Sequence, residues 1–272
     1  MKPIGDSAGD VRRLFFGASI SAPWPPHLPE GRVIPEDSRH ITLSFLAHCD
    51  YPKLLEQIPQ MPLPPLTIGQ TGIAESLVFL PPHTPRVAAM EIRWMSGEAE
   101  FLAYQAQLAA WLNAEGYQKE KHPFYPHISM ARRPFDPAQW IEHVTPFPFY
   151  VRSLALYESL GGLQYATIWE HPYLPPFEEM DHTADIAFRI RARTPQELHM
   201  HAQLALAFHF PGFLPFFADC LQNTLSEIII ALNESVSRAD AAIGCPFKAV
   251  SFHGNIHKDS QQILHWEMIV DV

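Results

Sequence analysis

Cysteine is scarce in this chain of 272 residues. The three thiols, Cys49, Cys220 and Cys245, lie far apart and include no CxxC spacing. An odd number of scattered cysteines makes neither a disulfide framework nor a structural zinc site. We therefore expect a protein of the reducing cytoplasm, held together by an apolar core.

Long apolar runs and an excess of positive charge are also missing. No stretch approaches the length of a membrane span, so we expect no membrane partner. The chain has 19 Lys and Arg against 29 Asp and Glu, a formal net charge of −10. An acidic chain is not a charge-driven nucleic-acid binder. Any contact with RNA must therefore be confined to a local groove or to a pocket for an RNA end.

Apolar residues are plentiful at 47%, and the 27 prolines are a heavy load. The length suffices for two cores. Prolines are tolerated in loops rather than in helix interiors, and those at 172–176 read as a linker. We therefore predict a boundary near 171–178, with domains at 1–172 and 177–272.

Apolar periodicity predicts alternating strands and helices in both parts of the chain. Strands are predicted at 13–20, 40–46, 87–94, 126–131, 154–157, 165–169, 185–193, 248–253 and 263–270. Helices are predicted at 52–57, 98–115, 194–208 and 219–233. The start at Thr194 combines an N-cap hydroxyl, a proline at the next position and a glutamate three residues later. This alternation favours an α+β or α/β fold.

One four-residue pattern occurs twice. His40-Ile41-Thr42-Leu43 and His127-Ile128-Ser129-Met130 both read histidine, apolar, hydroxyl, apolar, 87 residues apart. On a strand, alternation places the imidazole and the hydroxyl of each copy on one face. A single copy arises easily by chance among 15 histidines, so the interpretation depends on the pair. Two copies fit two pseudo-symmetric lobes that share a cleft.

Two imidazoles and two hydroxyls suit metal-free cleavage of a phosphodiester. A neutral imidazole takes the proton of the attacking water, and a protonated one gives a proton to the departing oxygen. The hydroxyls donate hydrogen bonds to the non-bridging oxygens, where charge lies in the transition state.

Residues 11–170 resemble the two-histidine phosphoesterase superfamily, and in particular the RNA 2′,3′-cyclic phosphodiesterases once called 2′-5′ RNA ligases (LigT-like). The segments that carry the resemblance are 13–16, 39–46, 85–90 and 124–132. The resemblance implies a bilobal pseudo-symmetric α+β fold with antiparallel sheets and catalysis by His40, Thr42, His127 and Ser129 without a cofactor. We assign His127 as the base toward water and His40 as the acid toward the leaving oxygen, and the opposite order stays open.

Some side chains around these motifs leave alternatives open. Arg132 follows the second motif and is a weak candidate for binding phosphate, because strict alternation points it away from His127. A solvated surface arginine is an equal interpretation. Trp24, Phe45 and Phe124 are able to stack on a base, although core packing is the expected role of each.

The second part of the chain contains aspartates at both of its ends. Asp181, Thr183 and Asp185 share a face if 181–185 is extended, and Asp271 interrupts the last apolar run. Converging carboxylates suit Ca²⁺ or Mg²⁺. Spacing alone favours a turn residue at Asp181 and a solvated end at Asp271.

Residues 178–272 resemble archease, on the segments 181–186, 194–205, 248–253 and 266–272. The resemblance implies a small α/β domain in which Asp181, Asp185 and Asp271 bind metal, and an RtcB-family RNA ligase as partner. The segment 211–247 is shorter than its counterpart in ordinary archeases.

Two classes of function remain open at this point. One is an enzyme that hydrolyses RNA 2′,3′-cyclic phosphate ends to 2′-phosphomonoesters, and a variant of it acts on another cyclic or 2′-5′ linked nucleotide. The other is a non-catalytic protein that binds RNA ends and activates the ligase.

Overall fold

A computed structural model describes residues 10–117, 123–182, 185–252 and 254–272. Thr183 of the 181–186 motif and His253 of the 248–253 motif lie outside these residues. The strands are β1 (Val11–Ser21), β2 (Gly31–Val33), β3 (His40–Asp50), β4 (Thr71–Leu80), β5 (Val87–Trp94), β6 (His127–Phe135), β7 (Phe147–Gly161), β8 (Gln164–Pro172), β9 (Phe177–Met180), β10 (Ile186–Ala192), β11 (Ala249–Val250), β12 (His257–Lys258) and β13 (Leu264–Asp271). The helices are α1 (Tyr51–Gln57), α2 (Glu98–Ala114), α3 (Pro137–His143), α4 (Pro195–His209) and α5 (Leu225–Ile243).

Eight strands form the first sheet, and every pair of neighbours is antiparallel. The order β1-β3-β6-β5-β4-β7 closes on itself, because β7 also pairs with β1. A closed ring leaves no unpaired edge among its six strands. β2 adds to β6 and β8 adds to β7 outside the ring. β3 and β6 therefore lie side by side, which positions the two histidine motifs.

A second antiparallel sheet has the order β11-β13-β10-β9, with β12 beside β13. Apolar residues of α4 and α5 pack with this sheet in a core of their own, around Phe188, Leu232 and Trp266. The first sheet and α2 enclose a separate core. The mixed fold with antiparallel sheets is confirmed, whereas the predicted domain boundaries stay predictions.

The two cores meet through aromatic and charged contacts. Tyr150 of β7 stacks on Phe208 of α4, with ring centroids 5.5 Å apart, and meets the edge of Phe177 at 5.6 Å. Arg193 lies 3.5 Å from Glu100 of α2. The expected linker is short, because β8 ends at Pro172 and β9 begins at Phe177.

One edge of the second sheet is closed by a side chain. The Asn233 amide of α5 donates to the Val250 carbonyl (2.9 Å) and accepts from the Val250 N–H (2.7 Å). These are the two bonds that a neighbouring strand would make with this residue. The amide therefore blocks pairing with another chain at this point of β11.

Most predicted elements are found where the sequence places them, but two differ. The strand predicted at 248–253 is reduced to β11, Ala249–Val250. The helix predicted at 219–233 begins instead at Leu225 and extends to Ile243. Its true start is a capping box, in which Thr224 and Glu227 satisfy each other's backbone N–H groups. No pattern in the sequence predicts β4. None of the helices in the described parts of the chain has the length and apolar content needed to cross a membrane.

Candidate active site

The two histidine motifs lie on the neighbouring strands β3 and β6, with Ile41 paired to Ile128. Continued by one residue in each direction, this antiparallel register places His40 opposite Ser129 and Thr42 opposite His127. Both isoleucines are fully buried, so the four polar residues share the opposite face. Diagonal neighbours on adjacent strands are separated by roughly 7–8 Å. That spacing allows the two imidazoles to flank a single phosphate.

Each imidazole is oriented by a carbonyl two residues earlier in the chain. Nδ1 of His40 is 2.7 Å from the Ser38 carbonyl oxygen, and Nδ1 of His127 is 2.8 Å from that of Tyr125. A carbonyl oxygen only accepts, so Nδ1 carries the proton in both rings. In the neutral rings, Nε2 is left with a free lone pair for proton transfer. The two motifs thus share a local structure as well as a residue pattern.

Aromatic rings surround His40. Phe15 lies 4.8 Å from the imidazole centroid, Tyr157 stacks at 5.2 Å, and Tyr165 meets it edge-on at 5.2 Å. Beneath the ring is Gly17 of β1, where an added Cβ would lie 3.2 Å from His40 Cδ2. Burial lowers the pKa of His40 to about 4, against the hydrogen bond to Ser38, and the charge of Arg132 lowers it further.

His127 occupies a more open position. Its ring stacks on Tyr125 at 5.9 Å, and its neighbour across the sheet is Glu91. The Glu91 carboxylate accepts hydrogen bonds from the hydroxyls of Tyr125 (2.9 Å) and Ser76 (2.9 Å). Burial is the main cause that lowers the pKa of His127, and the charge of Arg132 adds to it. Both imidazoles therefore favour the neutral form in the free protein.

Arg132 faces the imidazoles, contrary to the direction that strict alternation predicts. The register of β5 with β6 shifts between Ala88 and Ala89, which leaves Met130 as an extra residue. Such a bulge reverses the alternation beyond it. Arg132 thereby returns to the face of His127 and Ser129, and its charge lowers the pKa of both imidazoles.

β3 contains a bulge that corresponds to the one in β6. Its register with β1 shifts between Phe16 and Gly17, which leaves Leu43 as an extra residue. Phe45, five residues after His40 as Arg132 is after His127, consequently turns to the same face and is 50% exposed. The expected core role of Phe45 is wrong. Trp24 and Phe124 do pack against the core, as expected.

A cavity of about 740 Å³ opens at this face, a size that suits a small ligand. His40, Thr42, Ser129 and Arg132 line it, together with Phe45 and Tyr165. His127 is not among the lining residues. It lies next to them, because the strand register places it opposite Thr42. The hairpin 159–163 between β7 and β8 covers one side.

Five arginines line this cavity, although the chain as a whole is acidic. They are Arg13, Arg32, Arg86, Arg132 and Arg133. No aspartate or glutamate is among the described lining residues. An excess of one charge in a concave site raises the local concentration of ligands with the opposite charge. The cavity is therefore built for an anion.

Sequence reasoning finds the four motif residues but misses four of these arginines and the aromatic surround of His40. Arg32 lies on β2 and Arg86 directly precedes β5, and both segments reach the site only through sheet topology. Gly17 does have a sequence signal, because a glycine inside a strand marks a close approach.

The three aspartates of the second part lie at neighbouring strand ends. Ile186 pairs with Val270, so the antiparallel register, continued by one residue, places Asp185 opposite Asp271. The Asp185 carboxylate lies 3.8 Å from His182, and Asp271 accepts from Ser251 at 3.2 Å. Among the described residues, no three His, Cys, Asp or Glu side chains cluster to hold a metal ion. A hard cation needs more oxygen ligands than this pair supplies.

No family model matches the sequence, and no curated protein is similar to it. Among solved structures, E. coli LigT complexed with 3′-AMP is 18% identical, with a TM-score of 0.46, over 60% of this chain and 99% of that one. A protein described as a phosphoesterase is 19% identical, with a TM-score of 0.45, over 60% and 99%. TT0787 of Thermus thermophilus is 21% identical, with a TM-score of 0.42, over 59% and 97%. The first two of these neighbours are a LigT and a phosphoesterase by description, and at this level of similarity the functional argument depends on the geometry of the site.

Proposed function

We propose that this chain hydrolyses the 2′,3′-cyclic phosphate at an RNA end to a 2′-phosphomonoester, without a metal ion. The observation that carries the proposal is the paired site. Two imidazoles with the same Nδ1 anchor share one face of β3 and β6 with two hydroxyls. His40, both hydroxyls and Arg132 line a cavity rich in cations.

The proposed step needs only water and the two rings. Water attacks phosphorus, one imidazole takes its proton, and the bond from phosphorus to the 3′ oxygen breaks. The second imidazole gives its proton to that oxygen, which leaves a 3′ hydroxyl and a 2′ phosphate. Thr42, Ser129 and Arg132 stabilise the non-bridging oxygens as negative charge builds up.

The assignment of His40 as the acid requires that its imidazole be protonated. His127 as base suits a ring that is neutral in the free protein. His40 as acid must be protonated, yet its pKa is about 4 in the free protein. A bound phosphate anion raises the pKa of a neighbouring imidazole. We therefore propose that substrate binding, rather than the free site, protonates His40.

The first experiment measures turnover of a 2′,3′-cyclic nucleotide in EDTA by the wild type, His40→Ala and His127→Ala. General acid–base catalysis contributes roughly 10²–10⁴-fold, and each variant should lose at least that factor. His143→Ala is a matched control, because His143 is an exposed histidine on α3 with its own backbone contact.

The possible results separate the remaining alternatives. Binding of the nucleotide without turnover supports an RNA-end binder instead of an enzyme. If other cyclic or 2′-5′ linked nucleotides are turned over in preference to RNA ends, the proposed substrate changes and the proposed acid–base chemistry stands. Turnover that persists in both histidine variants refutes the site.

For residues 177–272 we propose an archease-like accessory role toward an RtcB-family RNA ligase. The support is the register of β10 with β13, which, continued by one residue from the pair of Ile186 and Val270, places Asp185 opposite Asp271. Calorimetric titration with Ca²⁺ or Mg²⁺, and ligation assays with and without this chain, test the proposal. Asp271→Asn should abolish any stimulation, whereas the exposed Asp219→Asn should keep it.

A further inference from the structure

Arginines accumulate at one end of the cavity, beyond the catalytic group. Arg32 of β2 pairs directly with Arg132 of β6. The backbone N–H of Arg133 donates to the Arg86 carbonyl at 3.0 Å. Four guanidinium groups thus arise from adjacent positions of β2, β6 and the segment that leads into β5, and all four line the cavity.

This arrangement costs free energy without an anion. Like charges directly opposite each other on neighbouring strands destabilise a sheet. Other arginines of this chain do have acidic partners: Arg93 pairs with Glu75 at 2.6 Å and Arg191 with Glu178 at 2.6 Å. Within the described residues, the side chains of Arg32, Arg86, Arg132 and Arg133 make no hydrogen bond or ion pair with a protein group.

Position separates these arginines from the reacting phosphate. His40 lies opposite Ser129, which pairs with Ala89 of β5, and Arg132 lies beyond the bulge, where it pairs with Val87. The two positions are therefore roughly 7 Å apart at the rise of a strand. The long side chain of Arg132 spans that distance, and its charge acts on both imidazoles. Arg32, Arg86 and Arg133 lie at or beyond Arg132, where one phosphate held between the imidazoles does not neutralise them.

We propose that Arg32, Arg86 and Arg133 form a second anion subsite, which binds another phosphate group of the same substrate. The inference rests on the proposed function and narrows it to substrates that carry at least one phosphate besides the cyclic one. A cavity of about 740 Å³ has room for such a ligand.

Binding of product analogues tests the subsite without requiring turnover. Adenosine 2′-monophosphate and adenosine 2′,5′-bisphosphate are titrated by calorimetry into the wild type and the double variant Arg86→Gln/Arg133→Gln. The wild type should bind the bisphosphate about tenfold or more tighter, and the double variant should bring the two affinities close together. Arg93→Gln, toward the other end of β5 and paired with Glu75, is the control and should keep the wild-type ratio.

A substrate series identifies the source of the second phosphate. Its members are a 2′,3′-cyclic mononucleotide, the same compound with a 5′-phosphate, and a dinucleotide with a cyclic end. The subsite is supported if kcat/KM of the wild type is tenfold higher for the second or third member than for the first, and if this increase is smaller in the double variant. A bisphosphate preference that survives in the double variant overturns it. If no member is turned over but the preference depends on the arginines, the subsite stands and the proposed reaction falls.

Discussion

Replacement of Gly17 by alanine tests how closely the fold holds His40. A methyl group there lies 3.2 Å from His40 Cδ2, from the Ile41 carbonyl oxygen and from Tyr157 Cε2. Ordinary carbon contacts begin near 3.5 Å. The imidazole or its neighbours must therefore move by a few tenths of an ångström.

The expected effect on activity follows from that displacement. A misplacement of 1 Å can cost about 10²-fold in rate, so a shift of about a third to a half of that should lower kcat about 4- to 10-fold. The expected effect on stability combines two opposing contributions. Overpacking costs roughly 1–3 kcal/mol, and alanine recovers about 0.5–1 kcal/mol over glycine inside a strand. The free energy of unfolding should fall by no more than about 2.5 kcal/mol.

The assay is kcat for a 2′,3′-cyclic mononucleotide, with urea unfolding in parallel and the His40 ring followed by NMR. Gly31→Ala is the control, because its Cβ crowds Phe135 Cβ at 3.2 Å and the Pro134 carbonyl oxygen at 3.3 Å without touching an imidazole. It should lose stability and keep kcat. If Gly17→Ala keeps kcat within about twofold and the His40 resonances do not move, the close fit has no role in catalysis.

Further predictions concern pH and stability. Both imidazole pKa values are lowered by burial, so the bell-shaped profile of kcat/KM should centre below the usual histidine value of about 6.5; a plateau that extends above pH 8 contradicts this. The unfolded chain binds a proton at His40 between pH 6.5 and the folded pKa of about 4, so this residue lowers stability as pH falls through that window, by at most about 3 kcal/mol. His40→Asn should flatten the dependence of unfolding free energy on pH across the same window, and an unchanged slope would refute the buried neutral ring. Asn233→Ala leaves the Val250 N–H and carbonyl without their partner, and urea unfolding should show a loss of about 2 kcal/mol. Thr224→Ala should cost about 1 kcal/mol by removing the N-cap of α5, whereas an equal loss from the exposed Thr84→Ala would argue against a cap-specific effect.

The sequence predicts which residues share the catalytic face, because alternation along one strand depends only on neighbouring residues. Alternation alone places His40 with Thr42 and His127 with Ser129, and β3 and β6 realise this prediction. The resemblance, rather than the periodicity, brings the two strands together. No local pattern states that β3 and β6 are neighbours.

The parts that sequence reasoning misses depend on register and topology. The direction of Arg132 is decided by the extra residue Met130, which simple alternation ignores. β4 is missed because its apolar run is interrupted by Gly72 and Glu75, and its place is fixed by pairing with β5 and β7. The start of α5 is missed, although the Thr224 and Glu227 capping signal is present in the sequence.

The extra residue at Met130 decides which side chain of β6 reaches the cavity. If β6 kept its length but ran straight through Met130, uniform alternation would turn the Arg132 guanidinium toward the packed interior and bring Ala131 to the cavity. Deletion of Met130 would remove the bulge and leave Arg132 on the cavity face. A one-residue gap at this point of an alignment is therefore compatible with the same ligand, whereas a shift of the gap to a position beyond Arg132 is not.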